Sequence, residues 1–160
     1  MKVNVNVKVK TLRAYKLIAD KARSRKGDLP VIKDSLATYD FLMSEVYDPA
    51  EIDVVESFYV LFLNAGNGVK GYIKVSSGGV NAVIADPKVI FCAALKCLAS
   101  SIVVTHNHPS GNPRPSEDDR KLTKKLSEAA KMLDIVLVDH IVVSPGRYYS
   151  FREHGELTFN

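Results

Sequence analysis

Cysteine is scarce in this 160-residue chain, which carries only Cys92 and Cys97, too few for a disulfide scaffold. The two lie five apart on an expected helix, which is not a zinc-knuckle spacing, and they read as buried free thiols. No apolar run approaches the ~18 residues of a membrane span, so no membrane partner is expected. The start, MKVNVNVKVK, alternates valine with polar residues and lacks the continuous apolar stretch of a signal peptide. With no export signal, the expected location is cytoplasmic. Internal repeats and low-complexity tracts are also missing. What is present is an ordinary globular balance, 46% hydrophobic and 25% charged, which excludes a largely disordered chain. A core of this size holds without a disulfide or a structural metal. A metal site in it would therefore point to function.

Charge is unevenly placed. Residues 1–33 hold ten Lys/Arg against Asp20 and Asp28, while the remainder holds twelve basic and sixteen acidic residues. A basic arm on an acidic body can be the footprint of a nucleic-acid contact, so this arm is a candidate for weak DNA binding. The plainer reading is the solvated face of one helix, and no base-reading motif accompanies the charge.

Val3, Val5, Val7 and Val9 alternate with polar residues and predict a strand. Leu12, Tyr15, Ile18, Ala19 and Ala22 fall at helical spacing over residues 11–25. After the break at Gly27 to Pro30, Asp34 is placed to cap a second helix with Leu36, Tyr39, Leu42 and Val46 on one face. Val54 to Leu63 predicts a buried strand, and Val69 to Val75 its hairpin partner across the Asn64 to Gly68 turn. Asp86-Pro87 is a strong helix start, with Ile90, Phe91, Ala94, Leu95 and Leu98 expected on the buried side. A short strand over Ser101 to Thr105 precedes a proline-rich loop from His106 to Pro115. Ser116 opens a helix with Leu122, Leu126, Ala129 and Leu133 inward, and Ile135 to Val143 and Arg147 to Phe151 predict the closing strands. This order argues an α/β sandwich with a mixed sheet. A 1–33 strand-helix extension precedes the main domain, 34–160.

The segment that carries chemistry is Thr105-His106-Asn107-His108-Pro109-Ser110-Gly111-Asn112-Pro113-Arg114-Pro115-Ser116-Glu117-Asp118-Asp119. On an extended chain, His106 and His108 point to one side, ~7 Å apart at Cα, close enough for both imidazoles to turn onto one ion. A carboxylate at the start of the next helix would supply a third ligand, giving an open site of the kind zinc uses for catalysis. Ser116 and Asp119 also have the spacing of an N-terminal capping box, so a structural account of the aspartate stands beside the metal one. Asn107 and Ser110 are expected to shape the loop through local hydrogen bonds to backbone.

His106-Asn107-His108-Pro109-Ser110-Gly111, then Pro113, Pro115-Ser116 and Asp119, resembles the signature of RadC-like proteins in the JAB/MPN+ (JAMM) metalloprotease superfamily. That pattern is a distant Glu, then His-x-His, seven residues, Ser, two residues and Asp. Glu56-Ser57-Phe58-Tyr59-Val60-Leu61-Phe62-Leu63-Asn64 resembles the strand that follows the glutamate. Asp139-His140-Ile141-Val142-Val143, with Arg147-Tyr148 and Ser150-Phe151, resembles the closing strands. The resemblance covers roughly residues 34–157 and implies a cytidine-deaminase-like sandwich, a mixed β-sheet flanked by helices. Residues 1–33 lack the Gly-containing hairpin of the helix-hairpin-helix region found in longer RadC proteins.

The resemblance implies that His106, His108 and Asp119 hold one zinc ion per chain, with Glu56 as general base on water at the metal. Ser116 would donate to the developing oxyanion. The implied activity is a metallopeptidase or isopeptidase acting on a protein or peptide. The alternatives are a DNA-associated accessory protein using the basic arm, and a zinc-holding interaction module without turnover. Nucleoside deamination is rejected, because the deaminase His-x-Glu and Cys-x-x-Cys pattern is absent. His140 reads as a hydrogen-bonded core residue beside the site, and Tyr148-Tyr149 as strand packing.

Overall fold

The computed structural model describes residues 29–78 and 85–157. The expected strand and helix of residues 3–25 lie outside the described residues, as do residues 79–84. Among the described residues, no helix is long and apolar enough to cross a membrane.

Helix α1 (Ser35–Phe41) runs into a π-helical turn at Leu42–Val46. Next come β1 (Ser57–Leu63), β2 (Val69–Ser77), α2 (Pro87–Lys96), β3 (Ser101–Asn107), α3 (Glu117–Met132), β4 (Val136–Ser144) and β5 (Arg147–Ser150). The five strands form one sheet in the order β2-β1-β3-β4-β5. β3 and β4 are parallel and every other pair is antiparallel. The sheet is therefore mixed, and the parallel pair is the one joined through α3, as a crossover requires.

Both sheet faces are covered. Phe58, Val60, Phe62, Ile102, Val104 and Val142 pack with Ile90, Phe91 and Ala94 of α2 and Leu126 and Ala130 of α3. Tyr59, Leu61, Leu63, Val103, Ile141 and Val143 pack on the other face with Leu42, Val46, Tyr47 and Ile52. This is why β1 and β3 are buried at every position and read as continuous apolar runs. Asp34 caps α1 as expected, its Oδ1 accepting the Ala37 N–H at 2.7 Å, and Asp86 caps α2 in the same way.

Several local expectations need correction. Val54 and Val55 belong to a turn before β1, folded on hydrogen bonds to Glu51 O. β3 continues through Asn107, so His106 sits in the strand and not in the loop after it. α2 ends at Lys96, and Leu98, at φ +50°, turns the chain outward. Leu95 and Leu98 are consequently exposed, as is Leu36 on α1, and Leu133 beyond the end of α3 is only partly covered. Thr123 and Ala130 occupy the inward face of α3 with Leu126. The two cysteines are free, but Cys92 is exposed and Cys97, the C-cap residue of α2, is half-buried against the core.

Candidate metal centre

The centre lies at the C-terminal end of β3, on the sheet face covered by α3. His106 points to that face because it shares its side of the strand with Ile102 and Val104. It is 1% exposed and stacks on Phe58 in β1, with ring centroids 6.0 Å apart. His108 follows two residues later on the same side and is half-buried. Its ring nitrogen Nε2 is 3.0 Å from His106 Nε2. The loop beyond it turns at Gly111, whose φ of +78° suits a residue without Cβ. That turn returns the Asn112 carbonyl to 2.8 Å from His108 Nδ1. A carbonyl only accepts, so Nδ1 carries a hydrogen and Nε2 is the ring nitrogen that faces His106.

Ser116 is the N-cap of α3, and both halves of the expected capping box are formed. The Asp119 N–H donates to Ser116 Oγ at 3.2 Å, while Asp119 Oδ2 accepts from Ser116 N at 2.7 Å and Ser116 Oγ at 2.6 Å. The carboxylate's other oxygen, Oδ1, is 3.2 Å from His106 Nε2. The capping oxygen Oδ2 is also the one that lies 3.8 Å from His108 Nε2, while Oδ1 faces His106. Burial alone would raise this carboxyl. The His106 ring and the Ser116 hydroxyl and N–H outweigh burial and hold it well below the usual carboxylate range.

Glu56 stands just before β1, half-buried. Its carboxylate oxygen and one nitrogen each from His106 and His108 lie within 4.8 Å of one another. Burial pushes the Glu56 carboxyl up, against the pull of the two histidines, and Asp119 adds to the rise. Two neighbouring carboxylates therefore have opposite proton affinities, the usual arrangement where one must stay charged and the other must exchange protons.

All five residues singled out in the sequence come together. Glu56, His106 and His108 form a group that could hold a metal ion, with Asp119 against His106. Ligands at ~2.0–2.1 Å around a tetrahedral ion are about 3.3 Å apart. The separations here are 3.0 Å between the histidines, 3.2 Å from His106 to Asp119 and 3.8 Å from His108 to Asp119. Two imidazole nitrogens and a carboxylate this close are held together by a shared hydrogen or by a metal ion between them.

Asn107 was misread in the sequence, His140 is the buried, hydrogen-bonded neighbour of the site that was expected, and Asp139 lies away from it. Asn107 was expected to bond locally. Instead its Nδ2 donates to Ile52 O at 2.7 Å and Val55 O at 2.9 Å, and its Oδ1 accepts the Ser57 N–H at 2.8 Å. It clamps the segment carrying Glu56 to the strand carrying the histidines. His140 is fully buried, stacked on Phe151 and 2.9 Å from His106 Nδ1. Burial, with the neighbouring His106 ring, holds it well below its ordinary pKa, so it is neutral. Asp139 points to the opposite face, where it accepts from Ser35, Ser150 and the Arg152 N–H.

A mixed five-stranded sheet with helices on both faces, and a His-x-His strand end facing two carboxylates, defines a class of α/β domain with a group that could hold a metal ion. The chain belongs to the RadC-like JAB domain family, which it matches over residues 32–156. It is similar to a UPF0758 protein of Aquifex aeolicus, 35% identical over 93% of this chain and 63% of that protein. A UPF0758 protein of Symbiobacterium thermophilum is 42% identical over 65% of this chain and 44% of its own length. One from Listeria monocytogenes is 44% identical over 62% of this chain and 45% of its own length. The chain thus spans between 44% and 63% of these relatives.

Proposed function

We propose that this domain is a zinc-dependent hydrolase of amide or isopeptide bonds in a protein or peptide. The observation that carries the reading is the convergence on His106 Nε2, which lies 3.0 Å from His108 Nε2 and 3.2 Å from Asp119 Oδ1, with Glu56 beside them. His106, His108 and Asp119 would hold the metal. Glu56 also lies within ligand reach of the histidines, but its raised proton affinity favours proton exchange over permanent ligation. Imidazole and carboxylate ligands suit zinc among the divalent metals. Bound there, zinc would polarise the scissile carbonyl and bring the pKa of a coordinated water to ~7.

The chain's own groups supply the rest. Glu56 takes a proton from the attacking water and returns it to the leaving amine, which a carboxyl raised toward neutral pH does more readily than an ordinary one. Ser116 would turn its hydroxyl from Asp119 to the developing oxyanion, a donor worth ~3 kcal/mol in comparable sites. Asp119 keeps the Ser116 N–H when this happens, so the cap is not broken.

Metal content of protein purified without chelator tests the reading, by elemental analysis beside Asp119→Ala. About one zinc per chain, lost in the variant, supports it. Glu56→Gln should keep the zinc and abolish cleavage of a peptide library. No stoichiometric metal after zinc is added back would overturn the reading. Zinc without cleavage by wild type would leave a metal-holding module.

A further inference from the structure

Thr123 lies one turn beyond Asp119 on the buried face of α3. Its hydroxyl oxygen is 2.6 Å from the Asp119 carbonyl oxygen and 2.6 Å from His140 Nδ1. On its far side, His140 Nε2 is 2.9 Å from His106 Nδ1. The directions of these three bonds follow from counting hydrogens. A hydroxyl has one, and a carbonyl has none to offer. If the hydroxyl pointed at His140, two oxygens would face each other at 2.6 Å with no hydrogen between them. With the hydroxyl on the carbonyl, both short contacts carry a hydrogen, and Thr123 Oγ1 accepts from His140 Nδ1–H. A neutral imidazole has one N–H and one lone pair, so it passes a hydrogen bond in one direction only. His140 Nε2 therefore accepts from His106 Nδ1–H. With the hydrogen on Nδ1, the Nε2 of His106, which faces His108 and Asp119, can present its lone pair to a metal ion.

We infer, taking the metal reading above as given, that Thr123 and His140 are positioning residues whose one-way relay fixes the His106 tautomer that can ligate a metal. The backbone of the helix that provides the carboxylate ligand also orders the protons of the buried histidine ligand, through its Asp119 carbonyl. His108 is ordered separately, by the Asn112 carbonyl. The two ring nitrogens facing the centre can thus both present lone pairs to a metal ion, by two independent devices. A histidine ligand whose second nitrogen donates to a fixed acceptor is held in tautomer and orientation, and loss of such support typically lowers metal affinity ~10–100-fold.

A merely structural account also exists, since a helical threonine often bonds its i−4 carbonyl and His140 packs on Phe151. The two are separated by a readout that packing does not move. Long-range 1H–15N NMR of the metal-free protein should find His140 protonated on Nδ1, and Nδ1 of His106 protonated as well. Thr123→Val, which keeps the shape and removes the hydroxyl, should release the His140 tautomer and weaken zinc binding at least tenfold in chelator competition. Thr123→Ser should restore both. His140 protonated on Nε2 in wild type would overturn the relay. So would a folded Thr123→Val with unchanged tautomers and zinc affinity. If Thr123→Val does not fold, the wild-type and Thr123→Ser tautomers decide the matter alone. The tautomers need no metal, so a wild type with the stated protons and no affinity for zinc would remove the metal reading and leave the relay standing.

Discussion

Replacing Asn107 with alanine separates the two halves of the site without touching a candidate ligand. The side chain is fully buried and makes three bonds to backbone at Ile52, Val55 and Ser57, all across some fifty residues of sequence. Each buried partner left unpaired costs ~1–3 kcal/mol. The bond to Val55 O is only partly buried, so water can replace it, and the sum is about 4 kcal/mol. For a chain of this length that lowers Tm by about 8–16 °C. Asn107→Asp is the sharper variant, because it keeps the shape and the acceptor for Ser57 N–H but turns an oxygen toward two carbonyls. Urea unfolding followed by circular dichroism measures both, with Ser110→Ala as the control. Ser110 is exposed and its loss should stay within about 0.5 kcal/mol. On the proposed function, an Asn107→Ala variant that still folds should bind zinc as the wild type does and lose hydrolysis, since Glu56 is the group set adrift. A loss below about 1 kcal/mol for both Asn107 variants would refute the clamp.

Cys92→Ser with Cys97→Ser should leave metal content unchanged, because neither thiol is near the centre, and Cys92 should react first with a thiol reagent since it is the exposed one. Asp139→Asn should change stability at pH 7 by no more than about 1 kcal/mol, as the Ser35 and Ser150 hydroxyls can turn to accept from the amide. Burial raises the Asp139 carboxyl above its unfolded value. Its contribution is therefore full below the unfolded pKa and lost as pH rises through the folded one. Chemical denaturation at several pH values should find the asparagine variant relatively more stable at the upper end, and the opposite slope would refute the assignment.

The parts of the fold legible in the sequence are those set by local chemistry. Strands buried on both faces announce themselves as Phe58 to Leu63 and Ile102 to Val104. Asp34, Asp86 and Ser116 mark helix starts because each has an N–H to satisfy within three residues. The His-x-His spacing put both rings on one side for the same local reason. What was hidden depends on register. Alternation along β4 would put Leu137, Asp139, Ile141 and Val143 on one face. Instead Ile102 pairs with Leu137 and Val103 with Asp139, so one extra residue, Val138, shifts the parity. Such a bulge redirects every later side chain. It is this shift that sends Asp139 toward Ser35 and His140 toward His106. Thr123 was hidden differently: a threonine among charged helix residues gives no sign that it is 3% exposed and bonded to a buried ring.

Metal removal distinguishes a functional centre from a structural one, and the structure predicts which this is. Two apolar clusters hold the sheet and its helices from both faces, and neither includes a candidate ligand. The first turn of α3 is capped by Ser116 and Asp119 through protein groups alone, and His108 is tied to Asn112. Chelation should therefore leave far-UV circular dichroism unchanged, unlike a zinc finger, which unfolds without its ion. The loss of ligand linkage should still register. Zinc at one hundred times its Kd stabilises the folded state by about 2.7 kcal/mol, so its removal should lower Tm by about 5–11 °C. Collapse of the helical signal on chelation would mean that the ion holds the fold, and would refute the view that the centre is built on elements already complete without it.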